Sequence, residues 1–257
     1  MSAAQRHDHD AGGDRELLDA KAALRDTVWS RLEAAGVGRF PGVRNRISNF
    51  VGAEAAADRL QGTTVWCDAR TVKANPDSPQ WPVRMRALED GKTLYMAVPR
   101  LAELDPFFLL DPDHLADTPR RASSIKGAAA SARTVPLAEV EPVDLVVTGC
   151  VAVGRDGARL GKGGGFSDLE FAIAGEAGLV DDATLVVTTV HPLQVLDAGE
   201  VPRTAHDVQV DLVVTPDEVI EVARAGPRPR PRLRWDELTE AKIGAIPVLQ
   251  RLRTERT

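Results

Sequence analysis

Apolar residues along the chain recur in two rhythms. Between residues 14 and 35, Leu17, Leu24, Val28 and Leu32 fall within about 80° of one another at helical spacing. That spacing predicts an amphipathic helix capped by Asp14 and stopped at Gly36. Lys21 projects inside the stripe and Arg25 at its edge; such cations either snorkel to the rim or point into a cleft beneath the helix. Downstream, residues 63–67, 93–98, 143–148, 184–190 and 208–214 read as strands. Leu145-Val146-Val147, Leu185-Val186-Val187 and Leu212-Val213-Val214 are consecutive aliphatics, as in strands buried on both faces. Residues 53–60, 83–89 and 166–177 read as helices. The alternation predicts an α/β fold, a mostly parallel sheet with helices on both faces, which would take a ligand at the carboxyl ends of its strands.

The two ends of the chain depart from this rhythm. Residues 1–13 are polar and aperiodic, an expected disordered tail in which His7 and His9 are solvated rather than metal-bound. Residues 14–223 form the expected α/β domain. Over 224–257 a linker that alternates proline and arginine (Gly226 to Arg232) leads into a short helical extension. Its Trp235, Leu238, Ile243, Ile246, Leu249 and Leu252 are expected to dock on the body.

Composition narrows the classes. With 257 residues, 32 basic against 38 acidic, and a net charge of −6, the chain is neither wholly disordered nor a generic polyanion binder. A local basic patch stays open, with the arginine–proline segment the weak candidate for RNA. The two cysteines, Cys67 and Cys150, lie in or beside apolar runs and make no disulfide framework; both are expected to be reduced core residues of a cytoplasmic protein. No stretch approaches the roughly 20 apolar residues of a membrane span, and the first residues lack a signal peptide's apolar stretch.

The most informative segment is Arg159-Leu160-Gly161-Lys162-Gly163-Gly164-Gly165-Phe166-Ser167-Asp168, just before an expected helix. Four glycines in five positions allow positive φ and let backbone N–H groups approach an anion, and a helix N-terminus adds positive potential. Lys162 and Arg159 supply cations, and Asp168 could reach a phosphate-bound Mg2+. The alternative is a flexible strand-to-helix connection with Asp168 complementing the helix dipole. The spacing fits neither the Walker A nor the dinucleotide fingerprint. Arg100, at the end of a strand, is a candidate substrate contact or a surface ion-pair partner. Lys73, Asn75 and Asp77 are turn formers or substrate contacts, with turns favoured. His191 reads as structural, and Ser167 has no base beside it.

This loop resembles the R-[LI]-G-x-G-[GE]-G-[YF]-x-D segment of the 5-formyltetrahydrofolate cyclo-ligase family, also called methenyltetrahydrofolate synthetases. Lys21-x-x-Leu24-Arg25 is similar to that family's amino-terminal motif, and residues 143–153 and 208–216 to two of its strands; the likeness covers roughly residues 15–222. Residues 46–50, 72–80, Trp235 and 246–253 further resemble the branch called methenyltetrahydrofolate synthetase domain-containing. The resemblance implies a three-layer, Rossmann-like fold of the NagB/RpiA/CoA transferase-like type. It implies ATP and Mg2+ as cofactors and a reduced folate, or a related heteroaromatic molecule, as partner. By matched position, Lys21, Arg25, Gly161, Gly163, Gly164, Gly165 and Phe166 would bind the nucleotide. Lys162, Arg159 and Asp168 would be catalytic, with Asp168 serving the metal; Arg100, placed by its strand end and not by a family motif, is the expected substrate contact. Two departures stand out: Phe166 replaces a tyrosine, and Leu169 stands where cyclo-ligases carry arginine. Three functions follow from the reading: a cyclo-ligase, a relative acting on another heteroaromatic (thiamin-related) substrate, or a non-catalytic nucleotide- or RNA-binding protein. A soluble monomer or homodimer is expected.

Overall fold

The computed structural model describes the chain apart from residues 1–2, 205–206, 225, 227–230 and 257, and residues 3–14 by backbone alone. Most of the alternating proline–arginine segment, and the side chains of His7 and His9, thus lie outside the described residues. In chain order the elements are α1 (Ala3–Ala34), α2 (Ala53–Gln61), α3 (Thr64–Asp68), β1 (Thr71–Ala74), α4 (Trp81–Glu89), β2 (Thr93–Ala97) and β3 (Phe107–Leu110). Then come α5 (Pro119–Ala122), α6 (Ile125–Ser131), β4 (Arg133–Val135), β5 (Leu145–Val147), β6 (Ala152–Gly154), β7 (Arg159–Leu160) and α7 (Phe166–Glu176). The series ends with β8 (Leu185–Thr189), β9 (Val195–Leu196), β10 (Leu212–Val214), β11 (Val219–Glu221), α8 (Glu240–Ala245) and α9 (Pro247–Arg256).

Eight strands form one sheet in the order β11-β10-β8-β5-β1-β2-β3-β4. The five from β10 to β2 run parallel, and both edges are closed by antiparallel pairs. Period-2 alternation splits the strand residues between two cores. Val72, Ala74, Leu94, Met96, Leu145, Val147, Val187 and Val214 pack under α2 and α4 through Leu60, Val83 and Leu88. Tyr95, Ala97, Val146, Val186 and Val213 pack on the other face with Leu169, Phe171 and Ile173 of α7 and with Ile243, Ile246, Val248 and Leu249 of the carboxyl-terminal helices. The result is the expected three-layer α/β sandwich.

A second sheet, β7-β6-β9, carries α1, whose Leu24, Val28, Trp29 and Leu32 pack with Val151, Leu160 and Leu196. Gly36, at φ 64°, ends that helix in the left-handed region that favours glycine. The helix begins at Ala3 rather than Asp14, so the expected tail is helical from its third residue; extending a nucleated helix costs far less than starting one.

Residues 63–67 form no strand. Thr63 Oγ1 accepts from Trp66 N at 3.2 Å and caps α3, and the Trp66 side chain is buried with its indole donating to Asp90 at 2.7 Å. A cap and one buried indole outweigh the β-branched character of Thr64 and Val65. Cys67 is consequently exposed and not a core residue, whereas Cys150 is buried. The strand that does fill the sheet's centre is β1, which the sequence pattern passed over because Lys73 interrupts its apolar run. Among the described residues, no helix is long and apolar enough to cross a membrane.

Candidate active site

The site is built where β1, β2 and β7 release their chains. After β1 the backbone runs through Asn75, Pro76 and Asp77, and Arg84 of α4 fixes that path. Its Nη1 donates to the carbonyls of Asn75 (2.6 Å) and Asp77 (3.0 Å), and its Nε to that of Ser123 (2.9 Å). Burial pulls this guanidinium down to about 10, against the opposing pull of Asp77. After β2, Arg100 sits in a left-handed conformation (φ 60°), followed by Leu101 at φ 53°. Such backbone in non-glycine residues is strained and turns Arg100 into the cleft.

From β7 the glycine loop leads into α7. Gly163 (φ 101°) and Gly165 (φ 66°) both need the left-handed region, and Gly165 caps α7 without any side chain bonding the helix's first N–H groups. A Cβ on Gly165 would stand 3.1 Å from Lys242 Nζ, a cation brought in by α8. Arg25 braces the loop from behind: Nε donates to Gly161 O at 2.7 Å and the guanidinium lies against Gly163. Partial burial lowers its pKa against the attraction of Asp207.

These segments enclose a cavity of about 850 Å³. Its cations are Arg44, Arg46, Arg100, Arg159 and Lys162, and its carboxylates are Asp77, Asp168 and Glu170. Arg159 is buried; it donates to Gly149 O at 3.1 Å and is paired with Asp168, while its Nε has no partner. Burial opposes its charge, but Asp168 and other nearby groups outweigh this and raise its pKa. Lys162 Nζ reaches Asp77 at 3.0 Å in a partly exposed pair. Deeper, Lys73 Nζ meets Glu170 Oε2 at 2.5 Å with both side chains 3% exposed. Asn75 Nδ2 donates to the same oxygen at 2.8 Å and to Ser167 Oγ at 3.2 Å. Burial pushes the Glu170 carboxyl up, and Lys73 opposes the shift.

Of the residues singled out from sequence, Asn75, Asp77, Arg100, Arg159, Gly161, Lys162, Gly164, Gly165, Phe166, Ser167 and Asp168 line this cavity. Gly163 backs onto Arg25, and Lys21 pairs with Asp207 at 2.5 Å; Lys21 and Arg25 stand behind the loop, not in the cavity wall. His191 caps a short turn: Nδ1 accepts from Leu193 N at 3.1 Å and the His191 backbone N–H donates to Gln194 Oε1 at 2.9 Å. Lys73 and Asn75 belong to β1 and its end, not to a free turn. Glu170 and Lys242 escaped the sequence reading. The available signal for Glu170 was its spacing, four residues after Phe166 and three after Ser167, which puts all three on one helix face. Among the described residues, no three His, Cys, Asp or Glu side chains converge as a metal cage. A divalent cation here would therefore draw ligands from a bound phosphate as well as from Asp168 or Asp77.

The sequence profile of the 5-formyltetrahydrofolate cyclo-ligase family matches residues 15–216. The methenyltetrahydrofolate synthase domain-containing protein of Mus musculus is 38% identical over 236 residues, covering 91% of this chain and 63% of that protein. Its Homo sapiens counterpart is 34% identical over 91% of this chain and 61% of its own length, so the chain spans just over three fifths of these relatives. The NMR structure of the 5,10-methenyltetrahydrofolate synthetase of Aquifex aeolicus shares the fold, with a TM-score of 0.50 and 21% identity over 85% of this chain and 99% of that one.

Proposed function

This chain belongs to the 5-formyltetrahydrofolate cyclo-ligase family, and from that premise we propose that it is an ATP- and Mg2+-dependent cyclo-ligase forming 5,10-methenyltetrahydrofolate. The observation that carries the proposal is the glycine loop: two left-handed glycines open an uncapped helix N-terminus onto a cavity that also holds Arg159 and Lys162. Uncapped N–H groups, a helix dipole and two cations form a receptor for a triphosphate's terminal phosphates. The unpartnered, buried Arg159 Nε is a further donor suited to an anionic oxygen. Mg2+ shared between Asp168 and phosphate oxygens would neutralise charge on the transferring group.

In this reaction the N5-formyl oxygen attacks the γ-phosphorus and ADP leaves. N10 then attacks the activated formyl carbon, and inorganic phosphate departs with the N10 proton passing to it or to solvent, which closes the five-membered ring. The protein's work is positioning and charge stabilisation. Arg159, immobilised by Gly149 O and Asp168, is a fixed charge at the cavity wall whose Nε is the donor without a partner. Lys162 is held only by a partly exposed pair with Asp77, so it can exchange that carboxylate for a phosphate at little cost. Arg25 keeps Gly161 in place, while Arg100 and Arg46 offer charge to an anionic substrate at the cavity wall.

One observation favours a second reading, a relative that kept the nucleotide site for another heteroaromatic substrate. Leu169 occupies the position of the cyclo-ligases' arginine, and here it is buried in the core beneath α7. The protein incubated with ATP, Mg2+ and 5-formyltetrahydrofolate, with the methenyl chromophore followed by absorbance, tests the choice. ATP-dependent growth of the chromophore supports the cyclo-ligase. No growth, with ATP still raising the unfolding temperature, supports the second reading; no effect of ATP on either removes both.

A further inference from the structure

Glu170 is an odd residue to find in the cavity wall. It sits midway along α7 on the face turned to β1, 3% exposed, and its two hydrogen bonds both go to Oε2, from Lys73 and Asn75. Oε1 makes none with the described residues. Because an ionised carboxylate only accepts, Asn75 has to present Nδ2 to it, and this orientation leaves the Asn75 Oδ1 without a partner. The wall therefore shows two acceptors without a hydrogen bond from the described residues, on side chains that share the Oε2 contact, and the buried one, Asn75 Oδ1, is costly to leave unpaired. Lys73 supplies the balancing charge from below, so the carboxylate does not call for a cation from the cavity. Phe166, one helical turn before Glu170 on the same face, adds a ring beside them.

We infer that Glu170 and Asn75 form a recognition subsite for the N–H edge of an amino-substituted pyrimidine ring on the molecule that receives the phosphoryl group. Neutral N–H donors in a plane satisfy adjacent acceptors without bringing a second charge into the cavity, and Phe166 offers the flat ring an aromatic neighbour. The position along α7 identifies which molecule carries the ring. Glu170 lies about 7 Å along the helix from Gly165, close to where the loop would hold a terminal phosphate. In ATP, two further phosphates and a ribose separate that phosphate from adenine, so a ring at this wall belongs to the acceptor. This assignment rests on the phosphate-binding reading of the loop.

The test compares 5-formyltetrahydrofolate with its 2-desamino analogue by calorimetric titration of the full chain. Glu170→Gln inverts the wall: Lys73 and Asn75 both donate, so the new amide turns its oxygen to them and its NH2 to the cavity. Wild type is expected to prefer the amino compound by at least about tenfold, the scale set by an unpaired buried acceptor. Glu170→Gln should bring the two ligands within about twofold while ATP affinity holds, since a donor facing the ring offers no pairing for its amino group. Discrimination unchanged in Glu170→Gln overturns the proposal, and so does a loss confined to ATP, which would put adenine there. If Glu170→Gln folds poorly because Lys73 is stranded, the Lys73→Met/Glu170→Gln double variant removes that charge and is read the same way. Should wild type bind neither folate, the cyclo-ligase reading fails, and 2,4-diaminopyrimidine against pyrimidine still tests the subsite: equal binding by wild type sinks it, and a preference lost in Glu170→Gln sustains it.

Discussion

The Lys73–Glu170 pair puts two opposite charges into the layer between sheet and helix, where neighbouring strand positions hold Tyr95 and Val146. Removing one partner should cost far more than removing both, because only the first strands a charge. Lys73→Met is expected to destabilise the protein by about 3–5 kcal/mol, and Lys73→Met/Glu170→Met to recover most of it, as read by denaturant unfolding. A double variant as unstable as the single one would show that the pair is not a self-contained unit. Lys162 behaves differently, since its pair with Asp77 is partly exposed and expendable. Lys162→Ala should leave stability within about 0.5 kcal/mol of wild type yet weaken ATP binding by about tenfold or more. Unchanged ATP affinity would refute the cradle. The two thiols should also separate. Burial pushes Cys150 up to about 11, with Thr188 pulling weakly the other way, whereas Cys67 is exposed. A thiol reagent near neutral pH is expected to titrate Cys67 alone in the folded protein and both cysteines after unfolding.

Among the elements, the loop between β7 and α7 ties conformation most closely to function. Gly165 combines a left-handed φ with a close approach by Lys242, so Gly165→Ala adds strain of roughly 1 kcal/mol or more and crowds that cation. We expect a modest fall in melting temperature and a disproportionate loss of the ATP-induced stabilisation; a loss of melting temperature alone would make this glycine merely structural. The loop and α7 were legible in the sequence because their determinants are local: glycines at the turn and an apolar period behind them. Residues 63–67 were misread because capping by Thr63 and burial of Trp66 overrode local β propensity. The central strand β1 was missed for the opposite reason. Its Lys73 looks like a break until Glu170, 97 residues away, supplies the countercharge. A partnership at that separation leaves no local trace.

Across the whole molecule, the parallel sheet delivers two strand ends and the second sheet a third to one cavity, where five cations face three carboxylates in an otherwise acidic chain. The layered architecture follows from the strand alternation, since each aliphatic run feeds both cores. Sequence also found most of the wall, but not how the charges divide. Lys21 pairs with Asp207, and Arg25 and Arg159 also lie within the influence of that carboxylate. The cations thus fall into an outer pair, of which Arg25 braces the loop and Lys21 holds Asp207, and an inner group, Arg159, Lys162 and Arg100, that faces the cavity. Such a division depends on residues brought together from α1, the loop and the segment before β10. The proposed chemistry requires that cleavage of ATP and ring closure be one coupled event. The most direct measurement is therefore the ratio of inorganic phosphate released to methenyl product formed from ATP and 5-formyltetrahydrofolate. We expect one phosphate per methenyl group, with neither produced when ATP or the folate is withheld. Methenyl formation without phosphate, or phosphate release that ignores the folate, would contradict the account.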